Sequence, residues 1–184
     1  GVPEEVFWIA GGAAAEQEPL VEAYGLGAAA PPSATFADTG YVVSRDRTGG
    51  HLVFDVGPHG YLNGGHAHAD ALSVTLGVNG RPLLVDPGTS TYTVDPALRD
   101  RLRGTASHNT LTLNGRSSSV PAGPFHWRSQ ADATLAAARH NPAFDWAEAS
   151  HDGFKGHRHR RTVFRAPAGG WLIVDEVLGS GTPS

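Results

Sequence analysis

Gly64-Gly65-His66-Ala67-His68-Ala69-Asp70 opens a stretch that continues as Gly80-Arg81-Pro82-Leu83-Leu84-Val85-Asp86-Pro87-Gly88 and closes at Arg103-Gly104-Thr105-Ala106-Ser107-His108-Asn109-Thr110. His66 and His68 are two apart, so on an extended backbone both imidazoles leave the same face. Asp86 closes an apolar run and His108 opens another. Two imidazoles and a carboxylate at strand ends supply the N and O donors that a borderline divalent ion such as zinc takes. The competing reading is chance clustering among 10 histidines in 184 residues.

Around this stretch the pattern is that of strands. Ala71-Leu72-Ser73-Val74-Thr75-Leu76 alternates, with Leu72, Val74 and Leu76 on one face. Asn79-Gly80 before Pro82-Leu83-Leu84-Val85 is a two-residue hairpin signal. Tyr41 to Arg45 and Leu52 to Val56 are short β-branched or aromatic runs flanking Thr48-Gly49-Gly50. Asp95-Pro96 supplies an N-cap and a first-turn proline for a short helix through Arg103. Thr110 to Leu113, Ala131 to Ala138, Phe144 to Ser150, Arg160 to Arg165 and Trp171 to Val177 extend the antiparallel series. Near the N-terminus, Pro3 to Ala10 reads as one or two helical turns, and Ala13 to Ser33 as an Ala, Gly, Glu and Pro linker.

Composition narrows the classes. A chain of 184 residues is one domain's worth. Its net charge of −4 lacks the basic footprint of a nucleic-acid binder. With no cysteine there are no disulfides and no thiolate metal ligands. No apolar run approaches the roughly 20 residues of a membrane span. The 24 Gly and 13 Pro suit a turn-rich all-β protein.

GGHAHADALSVTLGVNGRPLLVDPGTSTY, followed by RLRGTASHNTLTLNG, resembles the signature of the heparinase II/III-like β-domain of polysaccharide lyases, including alginate lyase-like members. The resemblance covers roughly Phe36 to Gly179. It implies an all-β, stacked antiparallel β-sandwich at 34–184, expected to be partial, preceded at 1–33 by the end of a helical toroid domain and a linker. It also implies a secreted or periplasmic enzyme that cleaves uronic-acid polysaccharides by β-elimination.

By that resemblance His68, Asp86 and His108 are the metal ligands, zinc being the expected ion, with water or substrate in the fourth position. Asp86 before Pro-Gly is equally the setting of an aspartate that holds its own turn. A carboxylate ending a buried-type strand, however, needs a partner. His66 matches the family's active-site histidine, for carboxylate neutralisation or proton transfer; alternatively it serves the same metal. Tyr92 is a candidate cleft phenol or plain packing. Arg103 matches a family arginine suited to a uronate carboxylate, against a helix-end arginine favoured by the dipole.

The family's acid/base tyrosine belongs to the toroid, so an acidic polysaccharide and the missing toroid are the expected partners. The isolated chain is expected to be inactive and prone to self-association. His151-Asp152-Gly153-Phe154 has Phe where many relatives have Tyr, with an effect expected on the cleft lining. His157-Arg158-His159-Arg160-Arg161 reads as a solvated strand edge, or more sharply as a polyanion-binding one. Two other functions fit parts of the pattern. Gly60 and His66-Ala67-His68 imitate a cupin opening, but Leu72 and Ser73 stand where its glutamate is needed. A non-catalytic, metal-stabilised carbohydrate-binding or structural sandwich fits the histidines equally.

Overall fold

The computed structural model describes residues 31–179. The N-terminal helical turns, with Phe7 and Trp8, and almost all of the linker lie outside the described residues.

The alternating runs become two antiparallel sheets that share one core. In the first sheet β1 (Ala34–Phe36), β2 (Tyr41–Arg45), β3 (His51–Asp55), β4 (Val74–Val78) and β5 (Arg81–Leu84) pair in chain order. A small ribbon follows, of β6 (Val120–Gly123) and β7 (His126–Ser129). The second large sheet has β8 (Thr134–His140), β9 (Asp145–Phe154), β10 (His157–Arg165) and β11 (Trp171–Gly179), again joined neighbour to neighbour. Between the first sheet and the ribbon lies helix α1 (Pro96–Leu102), then a 3-10 turn at Thr105–Ser107. The Asp95 carboxylate caps α1 by accepting from Leu98 N, and Pro96 occupies the first turn as expected.

Period-two alternation decides which side chains enter the core. Val42, Leu52, Phe54 and Val74 come inward from the first sheet, and Ala147, Ala149 and Val163 from the second. Burying Leu52 and Phe54 completely contributes about 2–3 kcal/mol each. The inward faces of β9 and β10 are apolar only in the middle. At one end Asp145 meets Arg165 at 2.7 Å; at the other His151, His159 and Arg161 are buried beside Asp175. Asp145 also ties the sheets together, accepting from Ser44 Oγ at 2.7 Å.

The hairpin expected at Asn79-Gly80 forms, with Val78 opposite Arg81 and a bulge between Leu76 and Gly77. Asn79 (φ 51°) and Gly80 (φ 71°) both take left-handed backbone, the geometry of a type I′ turn between β4 and β5. Elsewhere the structure corrects the sequence. The strand expected from Ala71 begins only at Val74, because Leu72 is left-handed at φ 62° and breaks the extended run. Thr110 to Leu113 forms no strand; Leu113 makes one bridge to Arg116 around the Asn114-Gly115 turn, and Thr110 Oγ1 bonds Ala71 O instead. The β6–β7 ribbon had no recognised signal.

His157 to Arg161 is not a solvated edge. β10 lies between β9 and β11, and His159 and Arg161 are buried. Arg160 faces outward, paired with Glu176 at 2.7 Å. On β11, Leu172, Val174 and Leu178 are exposed.

Candidate metal centre and cleft

His66 and His68 do not sit on a strand. The chain from Tyr61 to His66 is a sequence of turns, with Leu62 (φ 53°) and Gly64 (φ 66°) left-handed. Gly64 is required there: a Cβ would stand 2.7 Å from His59 O and 2.8 Å from the His59 ring. Its carbonyl accepts from Trp127 Nε1 at 2.8 Å and from Ala67 N at 2.9 Å. Two residues after Ala67, the backbone is pinned again. Ala69 N donates to Arg103 O at 2.8 Å, and Ala69 O accepts from Thr105 Oγ1 at 2.6 Å. His68 is therefore held between anchored neighbours, and the two imidazoles reach different groups.

His68 reaches His108 and Asp86. One ligand atom from each of these three residues lies within 4.8 Å of the others, and among the described residues they are the only such group of three or more. The imidazole centroids are 5.2 Å apart. His108 Nδ1 is 2.6 Å from Asp86 Oδ2, while His108 Nε2 is buried with no hydrogen-bond partner. A buried orphan nitrogen costs about 1–3 kcal/mol unless a water or ion meets it. Burial, followed by the neighbouring His108 acting against Asp70, lowers the His68 pKa and favours the neutral, ligating form. Two imidazoles, one carboxylate and an unpartnered nitrogen are a donor set that fits zinc.

Asp86 departs from expectation in one respect. It does not end a buried strand: β5 is largely exposed, with Leu83 and Val85 open to solvent, and Asp86 is itself exposed. The apolar run was misleading because β5 lies at the end of its sheet. Both readings of the residue coexist. Oδ1 accepts from Gly88 N at 2.9 Å and holds the turn, leaving Oδ2 for His108.

His66 reaches Tyr92 instead. Its Nδ1 is 3.2 Å from the Tyr92 hydroxyl, and Phe125 stacks on Tyr92 with centroids 5.5 Å apart. Arg99, buried in α1, donates to Tyr92 O at 2.7 Å and fixes that backbone. A cleft of about 490 Å³ opens beside His66 and His68, lined also by Asp38, Tyr41, Asp55, Tyr61 and Asp70. Burial and the adjacent Asp70 push Asp55 up to about 7, so this carboxyl is partly protonated near neutrality.

Arg103 is not brought to this cleft. It is 2% exposed; Nη1 donates to Pro124 O at 2.6 Å and the guanidinium lies 4.3 Å above the Trp127 ring. Its contacts support the β6–β7 turn that presents Phe125, which is why it cannot grip a polymer carboxylate directly. Phe154 is buried against the His151 ring and does not line the cleft either. Asp55, Arg99 and Phe125 escaped the sequence reading. Only Asp55 carried a signal, as a carboxylate closing the apolar strand His51–Asp55.

Comparison with known proteins agrees with this architecture. The sequence model of the family described as Heparinase II/III-like, C-terminal matches residues 28–183. A heparin-sulfate lyase of Bacteroides stercoris is 26% identical over 152 residues, 79% of this chain and 21% of that protein. A solved heparinase III with methylated lysines superposes with a TM-score of 0.68 at 25% identity, over 84% of this chain and 23% of the other. Heparan sulfate lyase HepC from Pedobacter heparinus shares the fold, with a TM-score of 0.69 at 19% identity over 92% of this chain and 28% of its own. The chain thus spans about a quarter of the length of the proteins it matches.

Proposed function

The chain belongs to the heparinase II/III-like family, in its C-terminal domain, and from that premise we propose that it is the β-sandwich part of a polysaccharide lyase acting on uronic-acid polymers by β-elimination. A helical toroid encoded outside the described residues would close the cleft, and a polymer substrate of this kind fits an enzyme of the periplasm or cell exterior. Among the described residues no helix is long and apolar enough to cross a membrane.

One observation carries this reading: His66, which pairs with Tyr92, and His68, which reaches Asp86 and His108, both line one cleft. In β-elimination a base takes the proton at C5 of the uronate and the electron pair forms the C4–C5 double bond. The C4–O bond then breaks and the leaving oxygen takes a proton. His66 suits either proton transfer, according to its tautomer. With the Tyr92 hydroxyl donating to Nδ1, Nε2 carries a proton to deliver; with Nδ1 donating to the phenol oxygen, Nε2 has a lone pair to accept one. Acid–base catalysis of this kind contributes about 10²–10⁴-fold.

His68, Asp86 and His108 would hold a zinc-like divalent ion. When bound, the ion would supply a fixed positive charge in a cleft otherwise lined by carboxylates. A partly protonated Asp55 lowers the repulsion toward an acidic sugar on the same wall.

The test is absorbance of unsaturated uronate product, with heparan sulfate, hyaluronan and alginate each offered to the full-length enzyme. His66→Ala should cut turnover by about 10²-fold or more. The 184-residue chain alone should give no product, because a base, an acid and a neutralised carboxylate must be held together, and about 1 Å of misplacement costs about 10²-fold. No product from any of the three polymers would contradict the lyase assignment. Sustained product from the chain alone, lost in His66→Ala, would show that these residues hold a complete site.

A further inference from the structure

The three ligand-bearing segments are irregular chain, and β-ladder hydrogen bonds do not fix their spacing. His68 lies in the loop before β4, Asp86 just past β5, and His108 just past the 3-10 turn. Their backbones are tied to one another by Thr110 Oγ1 on Ala71 O and, more widely, through two side chains that the proposed chemistry does not use.

Arg161 is the first. It is 5% exposed, on the inward face of β10. Its Nη1 donates to Leu72 O at 2.8 Å and to Asn109 O at 2.7 Å, so one nitrogen joins the His68 loop to the residue after His108. Leu72 is left-handed, and its carbonyl lies outside the β4 ladder. The rest of the guanidinium is a two-pronged fork on Asp175, Nε to Oδ1 at 2.7 Å and Nη2 to Oδ2 at 2.8 Å. Asp175 in turn meets His159 Nε2 at 2.6 Å. A guanidinium so bound has one orientation.

Asn109 is the second. Its backbone carbonyl takes the Arg161 bond, and its carboxamide Nδ2 donates to Val85 O at 2.8 Å, the residue before Asp86. The path Asp175–Arg161–Asn109–Val85, with the branch to Leu72, therefore touches all three segments.

We propose that Arg161, oriented by Asp175, and the Asn109 carboxamide form a bracket that sets the spacing of the segments bearing His68, Asp86 and His108. Both are positioning residues of the candidate metal centre, a role that rests on the metal reading given above. Loss of such supporting bonds elsewhere weakens metal affinity by about 10–100-fold while the ligands stay in place.

The experiment is zinc titration of the 184-residue chain, paired with amide hydrogen exchange on the metal-free protein, for the parent, Asn109→Ala, Arg161→Ala and Arg161→Lys. Asn109 is near the surface, so Asn109→Ala keeps the test decisive even where Arg161→Ala does not fold. Expected are a zinc affinity at least tenfold weaker in Asn109→Ala and faster exchange at 67–72, 84–88 and 107–110 together. Arg161→Lys, which keeps the charge but not the fork, should recover part of what Arg161→Ala loses. An Asn109→Ala affinity within about twofold of the parent overturns the bracket, whatever the exchange shows. A parent chain that takes up no zinc sinks the metal reading alone. The exchange then decides: joint acceleration supports the bracket, and unchanged rates overturn it.

Discussion

Among the described residues imidazole, imidazole and carboxylate meet twice, at His68, His108 and Asp86 and again at His151, His159 and Asp175. The ring pairs are almost equally spaced, 5.2 Å and 5.1 Å between centroids. Their surroundings differ. In the second cluster His159 Nδ1 meets His151 Nε2 at 3.2 Å, His151 Nδ1 accepts from Gly153 N, and Arg161 forks onto Asp175. Each imidazole nitrogen there has a partner, and the positive charge is already supplied. In the first cluster His108 Nε2 has none, and no guanidinium takes Asp86. Residue types alone do not tell the two clusters apart; the unpartnered His108 nitrogen does.

The comparison can be pressed first on stability. Asp175→Ala would leave Arg161 and His159 buried without their acceptor, and breaking such a pair costs about 3–5 kcal/mol. Asp86, which is exposed, should cost the metal-free protein far less when replaced by Ala. Denaturant midpoints of the two metal-free variants measure this, and equal losses would erase the distinction between the clusters.

Acid is the next lever. Burial, then His159 and Arg161, hold His151 down at about 4 against its ordinary 6.5, even with Asp152 nearby. The unfolded chain takes up this proton near pH 6.5 while the folded chain refuses it until about pH 4. Stability is therefore lost as pH falls from 6.5 toward 4 and is constant below that, by about 3 kcal/mol at most. His151→Gln should flatten this part of the curve. Parallel curves for parent and variant between pH 7 and 4.5 would show that His151 does not titrate as its burial requires.

A smaller effect, about 10²-fold or 2.7 kcal/mol, separates the neighbours His66 and His68. In the full-length enzyme His66→Ala should lose turnover with its metal content intact, whereas His68→Ala should lose the metal. Equal loss of metal from both would assign the pair to one ion.

The difference between the clusters also explains what could be read from the sequence. Strands such as Tyr41–Arg45 and the Asn79-Gly80 hairpin follow from alternation and turn chemistry within a few residues. His68, Asp86 and His108 came together through motif resemblance; the geometry that joins them rests on irregular chain, where Leu72 leaves the strand and Arg161 reaches across 89 positions to its carbonyl. Nothing local announces such a bond. The same blindness makes His157 to Arg161 read as a solvated strand edge. Nothing in those residues announces that a later strand, β11, pairs along that edge and brings Asp175 to His159 and Arg161.

Metal analysis of the folded chain tests the central claim most directly, after chelator treatment and reloading with zinc. One zinc per chain is predicted for the parent and for His151→Gln, none for His68→Ala or Asp86→Ala, and affinity should fall in acid once His68, whose pKa burial lowers, takes up a proton. A parent without stoichiometric metal, or a His151→Gln protein that loses it as completely as His68→Ala, would contradict the assignment of the centre to His68, Asp86 and His108.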